Sequence, residues 1–179
     1  MRTGQSTIDE INRLHEEAGR IARESGGDSG ELRKSQQVSR EVLCLALKAV
    51  EQHPDDGMLW HLLLGGMSQS GVWRSDDGDY DEMRLRAINN MIRLNPDDDE
   101  AAYAGSAFGP DYAYHGGLYA LKFSALVDLY YLGCNKEAGW PDSEHGKEAK
   151  EAIQIAMKRF PDAKRFLLEQ AAAVGIELG

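Results

Sequence analysis

Apolar residues recur along most of this sequence at steps of three and four, the spacing of one face of an α-helix. One such series consists of Val38, Val42, Leu45, Ala46 and Ala49. The next consists of Trp60, Leu63, Leu64 and Met67. Between the two series, Pro54 ends the first helix because it lacks an amide donor and its ring clashes with the preceding turn. A four-residue polar joint between two amphipathic helices predicts an antiparallel hairpin.

The same punctuation returns twice further along the chain. Pro96-Asp97 follows one amphipathic series and Pro161-Asp162 follows another, and apolar residues resume a few positions after each proline. Self-similarity of this type predicts stacked helix pairs. No stretch alternates apolar and polar residues over the length of a strand, so we predict an all-α fold of seven to eight helices in antiparallel pairs, without a sheet.

Capping and breaking residues predict the helix ends. Thr7 and Glu10 have the spacing of a capping box for a first helix that ends near Glu24. Gly133 is expected to be a C-cap, and the tail Gly175–Gly179 is expected to fray. The later helices are predicted over residues 31–52, 56–69, 79–94, 97–108, 118–132, 143–160 and 162–174, the last of them capped by Asp162.

The proline junctions resemble those of the tetratricopeptide repeat family. In that family a second helix carries small and aromatic residues before a proline, and the next first helix opens with an aromatic residue and then a leucine. Pro54, Trp60 and Leu63 match such a junction. A further second helix is matched by Ala149, Ile153, Ala156 and Pro161. The resemblance implies a superhelix of α-α pairs.

This resemblance covers roughly residues 38–108 and 147–171 and is degenerate. Leu64 stands where the family usually has glycine, and Ala102 stands where it usually has an aromatic residue. The prolines are 42 and 65 residues apart, whereas the family repeats near every 34 residues. The resemblance is therefore one of fold, and function has to be argued from a site.

Length and composition predict one soluble domain. The chain has 179 residues, of which 42% are hydrophobic and 28% charged. We predict a single all-α domain over residues 1–179. Its predicted parts are an N-terminal helix with a Gly-rich loop (1–30), tetratricopeptide-like helix pairs (31–108), a Gly/Tyr loop (109–117), and a buried helix with a C-terminal helix pair (118–179).

The chain also carries signals about its compartment. No apolar targeting segment follows Met1, and the longest apolar stretch, Leu118–Leu132, is too short to span a bilayer and contains Lys122 and Asp128. Two cysteines, Cys44 and Cys134, lie in apolar helical patterns without a C-x-x-C motif. We therefore expect a cytoplasmic protein with two buried, reduced thiols.

The net charge of −10 is concentrated in the middle of the chain. Residues 51–115 hold 13 acidic and four basic residues, whereas the flanking thirds are close to neutral. This distribution argues against nucleic acid and against anionic membrane surfaces, because both need clustered Lys and Arg. It predicts a partner protein with a basic surface. The alternative is that many of these acids only complement helix N-termini.

Motifs of metal and nucleophile chemistry are incomplete. His15-Glu16-Glu17-Ala18-Gly19 has glycine in place of the second zinc-binding histidine. The alternating aspartates of the acidic loop 76–82 have Glu82 where an EF-hand requires glycine, which leaves only a weak calcium motif. Ser68 and Ser106 do not lie in a complete nucleophile elbow. We predict no catalytic residue of these types, no cofactor and no metal.

Aromatic side chains with polar tips gather before the Leu118–Leu132 helix, close to Asp111, His115 and a pair of glycines. Such side chains are favoured at binding surfaces, and glycine loops often carry function. The predicted contact residues are Trp60, Trp73, Tyr103, Tyr112, Tyr114 and His115. The alternative is that the rings cover the edge of the core.

These observations favour a non-enzymatic protein-protein interaction module. It would bind a peptide, a helix or a basic protein surface, as an acidic inhibitor or immunity-type protein does. The alternative is a small-molecule-binding or hydrolytic enzyme in which Asp111 and His115 form an acid/base pair. A third interpretation is a helical subunit that assembles with itself.

Overall fold

The computed structural model describes residues 4–69, 78–97, 116–133 and 135–178. Those ranges contain seven α-helices and no strand, which confirms the all-α prediction for them. The helices are α1 (Gly4–Glu24), α2 (Ser29–Gln52), α3 (Gly57–Gln69), α4 (Gly78–Leu94), α5 (Gly117–Val127), α6 (Glu144–Arg159) and α7 (Lys164–Ala173). The helix predicted over residues 97–108 lies outside the described residues, apart from Asp97.

Two short helical segments complete the architecture. A π-helical segment, Asp128–Leu132, continues α5, and a 3-10 turn, Pro161–Ala163, precedes α7. The contacts divide the chain into two compact units, Met1–Trp73 and Arg74–Gly179. The existence of a single domain, and of a tetratricopeptide-like superhelix, stays a prediction.

The first unit packs α2 against both α1 and α3. The hairpin predicted between α2 and α3 is confirmed: the His53 amide donates to the Ala49 carbonyl at 2.9 Å, and the Trp60 indole N–H donates to the Pro54 carbonyl at 2.8 Å. Asp28 caps α2 by accepting from the amides of Gly30 and Glu31. The buried apolar side chains of this unit include Ile11, Leu14, Val42, Ala46, Leu59 and Leu63.

The second unit is built around α5, which contacts both α4 and α6. Nine of the 11 residues of α5 are buried, in agreement with the prediction of a buried helix here. Gly116 precedes it with φ +140°, and a Cβ there would press on Ala120, Ala156 and Leu167. The absence of a side chain at this position therefore lets α5 begin close to α6 and α7.

Three predicted helix ends need correction. The first helix begins at Gly4, so Thr7 lies inside it and is no N-cap. Gly133 has extended backbone (φ −75°, ψ −172°) instead of a left-handed C-cap, and a Cβ there would collide with the Asp128 carbonyl oxygen. Asp162 does not cap the last helix, which has no side-chain cap and follows a 3-10 turn.

The chain end is also more ordered than its sequence suggested. Ile176 is buried, and its amide donates to the Ala171 carbonyl at 2.9 Å, so residues 175–178 fold back onto α7 instead of fraying.

Cys44 is exposed on α2, which corrects the prediction of a buried thiol there, and Cys134 lies outside the described residues. Among the helices that the structure describes, none has the length and apolarity needed to cross a bilayer.

Candidate functional site

Polar side chains are buried at one place in the described ranges, where α4 meets the C-terminal part of α5. Asp81 is 6% exposed, Arg84 is 4% exposed and Ser124 is 6% exposed. Together with Asp128, at the start of the π-helical segment, we call these residues the Arg84 cluster. Burial of charge is costly unless it is paired, so the cluster is the first place to look for function.

The guanidinium of Arg84 organises this cluster. Its Nη1 donates to Oδ2 of Asp128 at 2.7 Å and its Nη2 donates to the Ser124 hydroxyl at 3.2 Å. The Ser124 hydroxyl in turn donates to the same Asp128 oxygen at 3.3 Å. The buried Nε of Arg84 has no hydrogen-bond partner among the described residues.

Helical spacing explains why these side chains meet. Asp81 and Arg84 are three residues apart on α4, and Ser124 and Asp128 are four residues apart on the α5 side. Residues at these spacings share a helix face, and the packing of α4 on α5 brings the two faces together. The charge of Asp128 within an apolar stretch was the one sequence signal that could have pointed to this cluster, because a charge in a buried helix requires a partner.

The ionised form of Asp81, the second carboxylate of the cluster, is disfavoured by its surroundings. The pKa of Asp81 is raised to about 6, first by burial and second by the charge of Asp128, with Arg84 acting against both. Burial likewise raises the pKa of the Tyr80 hydroxyl, with the charge of Arg84 acting against it. Asp81 therefore changes its charge near neutral pH.

A second group of polar side chains lies around Tyr130 in the π-helical segment. The rings of Tyr130 and His145 are stacked, with centroids 3.6 Å apart and planes 7° apart. Nδ1 of His145 lies 3.1 Å from a Glu137 carboxylate oxygen, and the Glu137 amide donates to the Tyr130 carbonyl at 2.8 Å. The stacking joins α6 to the π-helical segment, and the two contacts of Glu137 tie the α5–α6 connection to both.

The charges of three carboxylates from three different elements act on this tyrosine. The pKa of the Tyr130 hydroxyl is raised first by burial and then by the charges of Glu82 on α4, Glu137 in the connection and Glu148 on α6. We call Glu82, Tyr130, Glu137 and Glu148 the acidic face. Such convergence could not be read from the sequence, where only Glu82 belongs to the acidic middle third.

The members of the acidic face are neutralised to different extents. Glu148 pairs with Lys122 at 2.6 Å. The pKa of Glu137 is lowered by a hydrogen bond from Ser143 and by His145. Glu82 is exposed and has no ion-pair partner in the part of the chain that the structure describes. Its charge is therefore the one most accessible to another molecule.

The connection that carries Glu137 is anchored at its far end by Trp140. The Trp140 indole N–H donates to the Val174 carbonyl at 2.9 Å, and its ring lies 5.8 Å from that of Tyr131. Ser143 then caps α6 by accepting from the Gly146 amide. Next to this anchored connection, Leu132 is 60% exposed and presents apolar surface.

Of the contact residues predicted from sequence, Trp60 alone lies in the part of the chain that the structure describes. Trp60 is 1% exposed and its indole N–H is bonded to Pro54, so it is a core residue, and its prediction as a contact residue is corrected. The remaining predicted contacts, and Asp111 with them, lie outside the described residues. They are Trp73, Tyr103, Tyr112, Tyr114 and His115.

Within the described ranges no group of three or more His, Cys, Asp or Glu side chains is placed to hold a metal ion. Asp79 and Asp81 of the weak calcium motif both lie on α4, where Asp79 is exposed and Asp81 is buried beside Arg84.

Comparisons with protein-family models, with curated proteins and with solved structures gave no match to this chain.

Proposed function

We propose that this chain is a non-enzymatic protein-binding module, and that the acidic face of its second unit recognises a basic helix, peptide or protein surface. The observation that carries this proposal is the convergence of Glu82, Glu137 and Glu148 on Tyr130. Carboxylates grouped on a surface favour a cationic partner and steer its approach.

The chemistry around Tyr130 suits a protein partner in a second respect. Tyrosine combines a large apolar ring with a polar tip and is enriched where proteins bind each other. The exposed Leu132 two residues away adds apolar contact area. Apolar contact area close to charged groups is the usual composition of an interface, which has an apolar core and a polar rim.

The acidic face is held in place before any partner arrives. The stacking of His145 on Tyr130, the Glu137–His145 contact and the anchoring of Trp140 fix the connection between α5 and α6. Binding to a preorganised surface loses less conformational entropy than binding that must order a loop. The face can therefore select a partner by its charge pattern.

A specific form of this proposal is an acidic inhibitor, such as an immunity-type protein that covers the basic site of a toxin. The tetratricopeptide-like resemblance and the cytoplasmic location belong to the same proposal. Association is then expected to be fast at low ionic strength and to weaken with added salt, because the Debye length falls from about 30 Å at 0.01 M to about 8 Å at 0.15 M.

The proposal is tested by reversing the charge of Glu82, for which the described ranges hold no ion-pair partner. Wild-type protein, Glu82→Lys and Glu177→Lys are used as baits for affinity capture from the source cell, with mass spectrometry to quantify what each bait retains. Glu177 is exposed in the same unit but does not act on Tyr130, so it controls for the change in net charge. We expect a basic protein that binds wild type and Glu177→Lys and is lost with Glu82→Lys.

Two results would count against the proposal. One is that no basic protein is retained by the wild-type bait at low salt. The other is that the retained protein binds Glu82→Lys and Glu177→Lys equally, which would place the contact elsewhere.

The enzyme alternative rests on Asp111 and His115, which lie outside the described residues. Self-association is a further prediction that light scattering would test.

A further inference from the structure

The Arg84 cluster contains one more acidic group than basic groups. The charged and titratable groups that face Asp81 are Tyr80 and Arg84 on its own helix and Asp128 on the packed α5 side. Of the two carboxylates, Asp128 takes the direct ion pair with Arg84. Asp81 makes no hydrogen bond with any residue that the structure describes. With both carboxylates ionised, the cluster therefore has a net charge of −1 in a largely buried site.

We propose that the Arg84 cluster couples the binding of one proton to the packing of α4 against α5, so that the second unit is more stable in mildly acidic than in neutral solution. A proton on Asp81 makes the cluster electrically neutral and leaves the Arg84–Asp128 pair intact. Loss of that proton places a second negative charge beside Asp128 without a hydrogen bond to compensate it. Burial makes this arrangement costly.

The direction of the pH dependence follows from the two states of Asp81. In the unfolded chain the pKa of Asp81 is its ordinary value of 3.8, and in the folded chain burial and the charge of Asp128 raise it to about 6. The folded state therefore binds the proton more tightly, and the stabilisation is present at low pH and is lost as the pH rises from about 4 through about 6. A difference of this size changes the unfolding equilibrium constant on the order of 10- to 100-fold.

Amide hydrogen exchange tests this coupling within the intact chain. Exchange of α4 and α5 peptides is measured by mass spectrometry at several values between pH 5 and pH 7.5 and is corrected for the intrinsic pH dependence of exchange. For wild type we expect protection of both helices to fall by roughly tenfold over this range. Peptides of α2, in the other unit, serve as an internal reference and should show no such loss.

Two neutralising variants distinguish the effect of the Asp81 charge from a general effect of net charge on exchange. In Asp81→Asn, α4 and α5 should be protected from exchange to nearly the same extent at every pH. At pH 7.5 both helices should be better protected in this variant than in wild type. Asp79→Asn removes an exposed charge on the same helix and should keep the wild-type pH dependence. The proposal is overturned if Asp81→Asn retains the wild-type slope or is less protected than wild type at pH 7.5.

A direct titration of wild-type protein keeps the test independent of how the variants fold. Carboxyl carbon chemical shifts measured by NMR report the protonation of each aspartate against pH. We expect the Asp81 signal to titrate near pH 6. An Asp81 titration below about pH 4.5 overturns the proposal whatever the exchange data show.

Discussion

Each of the two units contains an ion pair between an arginine and a carboxylate, exposed in the first unit and largely buried in the second. In the first unit Arg13 pairs with Glu17 at 3.1 Å on the exposed face of α1. In the second unit Arg84 pairs with Asp128 at 2.7 Å, with Arg84 almost completely buried. Among the described residues, all the buried polar side chains belong to the second unit, and the first unit has an apolar core.

Exposed charges of this kind are solvated by water, whereas buried charges make the stability of a unit sensitive to mutation and to pH. An exposed pair gains little because water already solvates both partners, and salt screens what remains. A buried pair replaces that water, so removing either partner leaves the other without compensation. The first unit should therefore respond weakly to changes in its charges, and the second unit should respond strongly to changes in charge and pH.

The largest effect is expected from removing the buried guanidinium. Arg84→Ala leaves Asp81 and Asp128 beside each other without a counter-charge and should lower the free energy of unfolding of the second unit by roughly 3 to 5 kcal/mol. Urea unfolding at pH 7 measures the loss. The variant Arg84→Leu/Asp81→Asn/Asp128→Asn removes all the charges together and should recover most of it. A cost of less than about 1 kcal/mol for Arg84→Ala would contradict this account of the cluster.

A somewhat smaller effect is expected from the core of the first unit. Leu63 is fully buried on α3, and Leu63→Ala should lower the free energy of unfolding by about 3 kcal/mol through lost apolar contact and the cavity left behind. Because the core there is apolar, the loss should be the same at pH 5 and pH 7.5 in urea unfolding. Met58→Ala, at an exposed position of the same helix, is the matched control. A loss that varied with pH would show that the two units are not as different as described.

The smallest effect is expected from the exposed pair. Arg13→Ala should change the free energy of unfolding by no more than about 0.5 kcal/mol, and the change should shrink further in 1 M salt. Arg33→Ala is the control, since Arg33 is an exposed arginine on α2 without an ion-pair partner in the described ranges. Thermal unfolding of the three proteins side by side measures the difference. A cost comparable to that of Arg84→Ala would remove the distinction between the two pairs.

The periodicity of apolar residues was enough to predict the helices but not all of their ends. The α2–α3 hairpin follows from Pro54 and the series on either side of it, and the buried character of α5 follows from its nearly continuous apolar sequence. Helix ends depend on packing as well as on spacing: the Asp128 carbonyl oxygen takes the space that a side chain at Gly133 would need, and the tail is held by the packing of Ile176. The spacing of apolar residues does not show either contact.

By itself the sequence determined that the described chain is helical, where its longest apolar helix lies and that its acidic charge is concentrated, because these depend on composition and on spacing within one segment. The tertiary structure alone decided which charges are buried and which meet. Asp81 with Arg84, and Ser124 with Asp128, each read as an ordinary polar pair within a helix. Only the packing of α4 on α5 turns the two pairs into one buried cluster, because the cost of a charge depends on what surrounds it in space.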